Sequence, residues 1–276
     1  MGIRSKRVAA LAAALLLAVL AYGGYRLYLR TNALAAPAVI TPAMDAHQLL
    51  SPSLATRWER LVHGNAPPGG PRPKLIALTF DDGPYPVDTP LLVDALHDLK
   101  VPATFFLIGR DGEQYPELVR RIAAGGNEIA DHTLTHPNLD QLDAAAVRHE
   151  VEEGARVLRA IVPDPALRTM LRPPHGRYTE DTVLAIQSVG YDVILWTDDP
   201  GDWRSVSMQT IEAHMRRFAT APEIVLLHSG KRTTIDALPQ IVARYRAAGY
   251  TFVTVGQLLR RVSPEQLNHP LKAPLG

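Results

Sequence analysis

The chain has 276 residues, of which 46% are apolar and 21% charged, and its formal net charge is +1. This length suits one well-buried domain with attachments, and a nearly neutral chain has no field that attracts nucleic acid, so no nucleic-acid partner is expected. The sequence contains no cysteine, which excludes disulfides and thiolate metal ligands. Any metal must therefore be held by His, Asp or Glu.

The first thirty residues combine a basic start with an apolar run. Three basic residues precede the 18 uncharged residues from Val8 to Tyr25, which Arg26 and Arg30 follow. This run is near the minimum for a bilayer span and favours an uncleaved transmembrane helix, residues 1–30, with its basic end in the cytoplasm. A signal peptide cleaved near residues 33–35, which would give a secreted protein, and a buried core helix are the alternatives. We therefore expect a single-pass protein of the cytoplasmic membrane whose main domain lies on the extracytoplasmic side, periplasmic or external.

The rest of the chain divides into a linker, a folded domain and a short tail. Prolines and glycines are frequent in residues 31–73, which predicts a linker with a short helix near residues 53–62. From residue 74 to 262, short apolar or β-branched runs alternate with segments of helical period, and the tail, residues 263–276, carries no recognisable module. The predicted strands cover residues 75–80, 103–108, 128–130, 169–171, 191–196, 224–227 and 251–253.

Alternation of strand and helix about seven times predicts an α/β fold with a parallel sheet and crossover helices. A closed or nearly closed β/α barrel fits better than an open sheet because no Gly-rich dinucleotide fingerprint follows the first strand. Reactive groups of such barrels lie in the loops at the carboxyl ends of the strands. Those positions hold Asp81, Asp82, His132, His136, Arg172, Asp199, Asp202 and His228. Each of these polar residues alone has an ordinary structural explanation, but their shared position on one rim of the barrel predicts an active site.

Three of these residues form a candidate metal site. Asp81 and Asp82 alone could belong to a turn, and His132 and His136 could be solvated, but the spacing i, i+4 brings both imidazoles to one face if they share a helical turn. Zincin proteases place Glu after the first His, where this chain has Thr133. Two imidazoles with the Asp82 carboxylate leave coordination positions open for water and substrate. Asp81 would then take a proton from a metal-bound water whose pKa falls toward about 7.

The other polar residues of the rim fit an acid and base pair. The guanidinium of Arg172 beside Asp81 would keep that carboxylate ionised and oriented. A lone His at a strand end is more often structural, yet His228 in this setting is the natural general acid for a leaving amine. Asp202 would raise its pKa.

Two apolar side chains are candidates for the substrate pocket. Trp203 follows Asp202 directly and Leu226 precedes His228 by two positions. A tryptophan is more often part of a core, but next to a metal it would wall a small pocket for an acetyl methyl group together with Leu226. The predicted chemistry is hydrolysis of an unactivated amide.

Five ordered motifs between about Lys74 and Leu259 resemble those of the polysaccharide deacetylases, carbohydrate esterase family four. They are Thr79-Phe80-Asp81-Asp82-Gly83-Pro84, His132-Thr133-Leu134-Thr135-His136, Arg172-Pro173-Pro174-His175-Gly176, Asp199-Pro200-Gly201-Asp202-Trp203 and Leu226-Leu227-His228. The resemblance implies Asp81 as base, Asp82, His132 and His136 as metal ligands, Arg172 positioning the base, and His228 as acid. It also implies a distorted (β/α)7-type barrel and a divalent metal, most often zinc, although cobalt, nickel or manganese occur.

One position departs from the family pattern. His175 stands where a Tyr or Phe is usual, which keeps the backbone donor that contributes to the oxyanion hole and changes the side chain that meets the substrate. The family mostly removes acetyl from N-acetylglucosamine in peptidoglycan, chitin or related glycans, and some members act on xylan esters or deformylate a lipid-linked aminosugar.

Three functions follow from these motifs: N-deacetylation of an envelope glycan, removal of an ester or action on a soluble or lipid-linked sugar, and a glycan-binding module without catalysis. The last is disfavoured because every expected metal ligand, base and acid is present. The sequence predicts no oligomeric state.

Overall fold

The computed structural model describes residues 74–162, 167, 169–217 and 222–261. The predicted membrane helix at residues 1–30, the linker at 31–73 with its short helix at 53–62, and the tail at 263–276 lie outside the described residues. Within the described ranges, no helix is both long enough and apolar enough to cross a membrane.

Strands and helices alternate along the described chain, as the sequence predicts. The strands are β1 Leu75–Asp81, β2 Thr104–Leu107, β3 Glu128–Asp131, β4 Met170–Leu171, β5 Asp192–Val193, β6 Glu223–His228 and β7 Thr251–Phe252. The helices are α1 Asp88–Leu99, α2 Gly109–Gln114, α3 Pro116–Ala124, α4 Ala144–Ile161, α5 Glu180–Ser188, α6 Met208–Arg217, α7 Arg232–Ala247 and α8 Val255–Arg261. Short 3-10 turns at Leu139–Gln141, Pro174–Gly176 and Asp202–Arg204 interrupt the loops.

All strand pairs are parallel, and the order across the sheet is β5-β4-β3-β2-β1-β6, with β7 also paired to β1. The segment after β5 then crosses to the other edge, where Asp198 forms a parallel bridge with Val225 of β6. Backbone hydrogen bonds from Thr197 N to Ile224 O (2.8 Å) and from Leu226 N to Asp198 O (2.9 Å) fix this contact. The sheet is therefore a distorted, nearly closed barrel.

All seven predicted strands are present, but the fifth is much shorter than expected. The sequence predicts a strand over residues 191–196, whereas β5 covers only Asp192–Val193. Ile194 still donates to Leu171 O in β4 (2.8 Å), and the chain then leaves that neighbour to pair with β6. A strand that changes partners cannot keep one regular ladder, which explains the short assignment.

Successive side chains along each strand point alternately to the barrel interior and to the surrounding helices, as expected from the two-residue period of a strand. Ala77, Phe106, Ala130 and Leu226 share one cluster, whereas Leu78, Phe105, Ile129 and Val225 belong to a second cluster with buried residues of α1, α3 and α7. Every residue of β1 is buried. The central strand is thus rigidly held, and it ends at Asp81.

Candidate active site

The register of the sheet sets the level of the site. Asp81 at the end of β1 pairs with Phe106 of β2 on one side and with His228 of β6 on the other. Asp131 at the end of β3 pairs with Leu107 and Leu171. The predicted polar residues therefore follow strand ends that lie side by side, and the predicted rim is confirmed.

Arg172 lies next to Asp81, as the sequence predicts. The guanidinium is fully buried, and its Nη1 donates to Asp81 Oδ1 and to Thr79 Oγ1, both at 2.7 Å. The remaining donors reach the carbonyl oxygens of Ile194 (Nε, 3.1 Å) and Leu195 (Nη2, 3.0 Å). With these contacts on several sides, Arg172 holds the Asp81 carboxylate in one orientation.

Asp82, His132 and His136 converge. Their candidate ligand atoms all lie within 4.8 Å of one another, and Asp82 Oδ1 is 3.6 Å from His132 Nε2 and 3.1 Å from His136 Nε2. Asp82 reaches this position with a left-handed backbone, φ 69°, while Ser229 Oγ donates to the carbonyl oxygens of Asp81 (3.0 Å) and Asp82 (2.9 Å).

The protonation of these groups suits metal binding. His132 Nδ1 lies 2.8 Å from Arg172 O; since a carbonyl only accepts, Nδ1 carries the proton and Nε2 presents its lone pair to Asp82. Burial lowers the pKa of His132 and favours the neutral ring. Burial raises the pKa of Asp82, but the hydrogen bond to His136 and the nearby histidines outweigh it, so this pKa lies below its usual value. Two nitrogens and a carboxylate oxygen form a donor set that fits a divalent cation such as zinc.

The two histidines do not share a helical turn, which was the condition for their spacing to bring them to one face. Residues 132–136, here called the histidine loop, contain no helix, and both Thr133 (φ 71°) and His136 (φ 62°) have left-handed backbones. The imidazoles still approach, with ring centroids 4.9 Å apart. A loop with two left-handed residues thus gives the convergence that the i, i+4 spacing assigned to a helix.

His228 lies beside Asp202 on the opposite side of the site. His228 Nδ1 is 2.8 Å from Asp202 Oδ1, and the His228 backbone N–H donates to Oδ2 (2.9 Å). Thr234 Oγ1 also donates to Oδ2, at 2.7 Å, and Asp202 is fully buried. Burial by itself lowers the pKa of His228, but the hydrogen bond to Asp202 and the charges of Asp81, Asp202 and Asp82 raise it above its usual value.

The three predicted substrate contacts occupy different surroundings. The ring of His175 meets that of His136 edge to face, with centroids 4.5 Å apart, and its backbone is left-handed (φ 59°). Trp203 is 48% exposed and is therefore not part of the core, the ordinary alternative for a tryptophan. The guanidinium of Arg204 lies over its ring at 4.6 Å. Leu226 is buried in the barrel interior.

Several supporting residues were not found from the sequence. Thr79, Ser229 and Thr234 bond to Arg172, to the backbone after β1 and to Asp202, respectively. Asp131 is fully buried and its Oδ1 accepts the Thr133 N–H at 3.1 Å. Thr79 belongs to the first motif, and Asp131 and Ser229 each lie next to a predicted histidine, so a motif or its flank could have marked these three. Thr234 lies on α7, where no local pattern marks it.

Comparison with known proteins agrees with this geometry. The family model for polysaccharide deacetylase matches residues 69–194. A peptidoglycan-N-acetylglucosamine deacetylase of Bacillus cereus is 35% identical over 192 residues, which cover 68% of this chain and 89% of that protein. A chitooligosaccharide deacetylase of Bradyrhizobium sp. is 40% identical over 157 residues, covering 57% of this chain and 71% of that protein.

The fold agrees as well. The solved structure of the peptidoglycan deacetylase PdaC from Bacillus subtilis superposes with a TM-score of 0.62 at 34% identity, covering 70% of this chain and 93% of that one. The chain therefore belongs to the polysaccharide deacetylase family and is a hydrolase of that family.

Proposed function

We propose that this deacetylase removes N-acetyl groups from an N-acetylglucosamine-containing glycan of the cell envelope, either peptidoglycan or a chitin-like polymer, and that it depends on a divalent metal. The observation that carries this proposal is the placement of Asp82, His132 and His136 beside a buried Asp–Arg pair and an Asp–His pair. The names of the relatives from Bacillus cereus and Bradyrhizobium support the substrate class.

Asp82, His132 and His136 would hold the cation, with zinc preferred and cobalt, nickel or manganese as alternatives. When bound there, the cation supplies a Lewis acid that polarises the acyl carbonyl and lowers the pKa of water. Because the Nδ1–H of His132 is bound to Arg172 O, its ring cannot turn, and the site is preorganised on the side of the histidines.

Asp81 acts as the general base. Its Oδ1 is held by Arg172 at 2.7 Å, while Oδ2 lies 3.9 Å from His132 Nε2 on the side of the ligands. Oδ2 is therefore placed to take a proton as a water oxygen attacks the acyl carbon. Arg172 keeps the carboxylate in one position while the proton moves.

His228 acts as the general acid. Its Nδ1–H donates to Asp202, so Nε2 is the nitrogen that carries the mobile proton. Transfer of this proton to the sugar nitrogen accompanies cleavage of the C–N bond, and the products are acetate and an amino sugar. The raised pKa of His228 extends to higher pH the range in which the acid is protonated.

The substrate contacts are part of the proposal. Trp203 and Leu226 would border the acetyl methyl group, and the exposed Trp203 ring also offers a surface for the sugar. His175 would replace the usual aromatic side chain with a ring that can donate or accept a hydrogen bond, while its backbone N–H contributes to the oxyanion hole.

An envelope substrate requires export, and the basic start with an apolar run in residues 1–30 supports a membrane-anchored enzyme facing outward. Protease treatment of intact cells tests this location: the domain should be degraded without lysis. Protection until lysis would place it in the cytoplasm.

Acetate release tests the chemistry. The full chain is incubated with N-acetylglucosamine oligomers, with peptidoglycan and with O-acetylated xylan, before and after treatment with chelator and then zinc. We expect release that chelator abolishes and zinc restores. Release that chelator leaves unchanged would contradict metal dependence, and release only from O-acetylated xylan would favour an esterase.

A further inference from the structure

Every backbone amide from Thr133 to His136 in the histidine loop has a defined acceptor. Thr133 N donates to Asp131 Oδ1 (3.1 Å), and Leu134 N donates to Glu150 O (2.9 Å). Thr135 N donates to Glu150 Oε2 (2.8 Å), and His136 N donates to Thr133 Oγ1 (3.1 Å). The loop is therefore bound along its whole length.

Helices hold the loop from two sides. The first two amides of α2, Gly109 N and Arg110 N, donate to the carbonyl oxygens of Thr133 and Leu134, both at 2.9 Å. Helix α4 presents Glu150 on the other side, and Gly154 of the same helix packs so closely that an added Cβ would lie 2.7 Å from the Thr133 carbonyl carbon. The loop therefore lies between α2 and α4 and forms main-chain hydrogen bonds with both helices.

Among the described residues of α4, Glu150 is the one whose side chain forms two hydrogen bonds with the histidine loop. Its Oε2 accepts the Thr135 N–H and its Oε1 accepts the Thr135 hydroxyl, each at 2.8 Å. Thr135 immediately precedes His136, whose left-handed backbone (φ 62°) is costly for a residue other than glycine. Such strain persists only where surrounding contacts hold it.

We propose that Glu150 is a positioning residue for the metal site: through Thr135 it holds His136 in the conformation that directs Nε2 toward Asp82. The inference rests on the proposed metal dependence, because it concerns how the ligands are arranged before a cation binds. Glu150 contributes no ligand atom to the Asp82, His132 and His136 group. Outer residues that orient metal ligands typically change metal affinity by about 10- to 100-fold when they are removed.

The two hydrogen bonds of the Glu150 side chain provide a matched pair of variants. In Glu150→Gln, the amide oxygen still accepts the Thr135 N–H, and the amide NH2 can donate to the Thr135 hydroxyl, which accepts as readily as it donates. Glu150→Gln therefore removes the charge and keeps both hydrogen bonds, whereas Glu150→Ala removes both. Glu153→Ala removes a charge from the same helix, where the carboxylate bonds to Arg156 (2.9 Å) instead of the loop.

The dissociation constant for zinc, measured by calorimetry on the chelator-treated full chain, is the main readout. We expect Glu150→Ala to raise it about 10-fold, with Glu150→Gln and Glu153→Ala within about twofold of the parent. Melting temperatures of the metal-free proteins should change little, since Leu134 still donates to the main chain of residue 150. A purely structural role would instead lower the melting temperature and leave the affinity of the folded protein unchanged.

Two results would overturn the inference: unchanged zinc affinity in Glu150→Ala, or equal weakening in Glu150→Gln and Glu150→Ala. If Glu150→Ala does not fold, Thr135→Val tests the proposal instead, because it removes only the hydrogen bond of the hydroxyl group. A zinc affinity about two- to fourfold weaker is then expected, and an unchanged zinc affinity contradicts the role. A parent protein that binds no zinc would contradict the proposed function itself, which separates the two failures.

Discussion

Replacing Arg172 by Met tests how the base is held. The side chain is fully buried, and Met removes its charge together with its bonds to Asp81, Thr79 and two main-chain carbonyls. Asp81 is itself only 4% exposed, so its carboxylate would remain buried without a cation. Breaking a buried ion pair from one side typically costs about 3–5 kcal/mol.

The loss should be visible in equilibrium unfolding. A cost of about 3–5 kcal/mol is a large share of the roughly 5–15 kcal/mol that stabilises a typical domain. For a domain of this size class, it corresponds to a melting temperature lower by about 6–20 °C. Urea unfolding followed by circular dichroism, with chelator present so that no bound cation compensates Asp81, measures the free energy of unfolding directly.

The double variant Arg172→Met with Asp81→Asn is the control. It removes both charges, so no unpaired ion is left in the barrel, and we expect it to be more stable than Arg172→Met alone by about 1–3 kcal/mol. The reasoning would be refuted if Arg172→Met lost less than about 1 kcal/mol, or if the double variant were no more stable than the single one.

Four further substitutions test the base, a metal ligand, the acid and the packing. Asp81→Asn should lower kcat about 10²- to 10⁴-fold while zinc stays bound in calorimetry, whereas His132→Ala should lose the metal as well; full activity with bound metal in both variants would contradict the mechanism. Asp202→Asn should lower the pKa of His228. Because the acid must be protonated, the alkaline limb of the plot of kcat against pH should then move to lower pH, and an alkaline limb that does not move would exclude His228 with Asp202 as the acid pair. Gly154→Ala places a Cβ 2.7 Å from the main chain of the histidine loop and should cost about 1–3 kcal/mol in urea unfolding, which an unchanged midpoint would contradict.

The sequence predicts the strands well because each has a local signal. A buried parallel strand is a short apolar run, and all seven such runs become strands. The fifth run continues to Trp196 in the sequence, but the chain leaves β4 after Ile194 and pairs with β6 at Asp198. Which neighbour a segment pairs with depends on how the barrel closes, and an apolar run does not encode this.

The candidate site is predicted in its members and only partly in its geometry. Asp82, His132 and His136 do meet, but through left-handed residues of a loop and not on a helical turn. The spacing of the two histidines is compatible with a helical turn or with a loop. The sequence of the motif does not distinguish them, because the contacts that hold the loop come from Asp131, Glu150 and α2, outside the motif. Partners that come from distant segments, such as Thr234 for Asp202, have no local pattern at all.

The two halves of the site have different origins of rigidity. Asp81 and His228 are paired residues of adjacent strands, so the separation of their main chains is set by the sheet spacing of about 4.8 Å. Arg172 and Asp202 then fix the two side chains from buried positions. The histidine loop belongs to no strand and is held by main-chain contacts with α2 and α4 and by the Glu150 side chain. Metal affinity should therefore respond to changes in the loop supports that leave the acid and base aligned, because the sheet holds the acid and base independently of that loop.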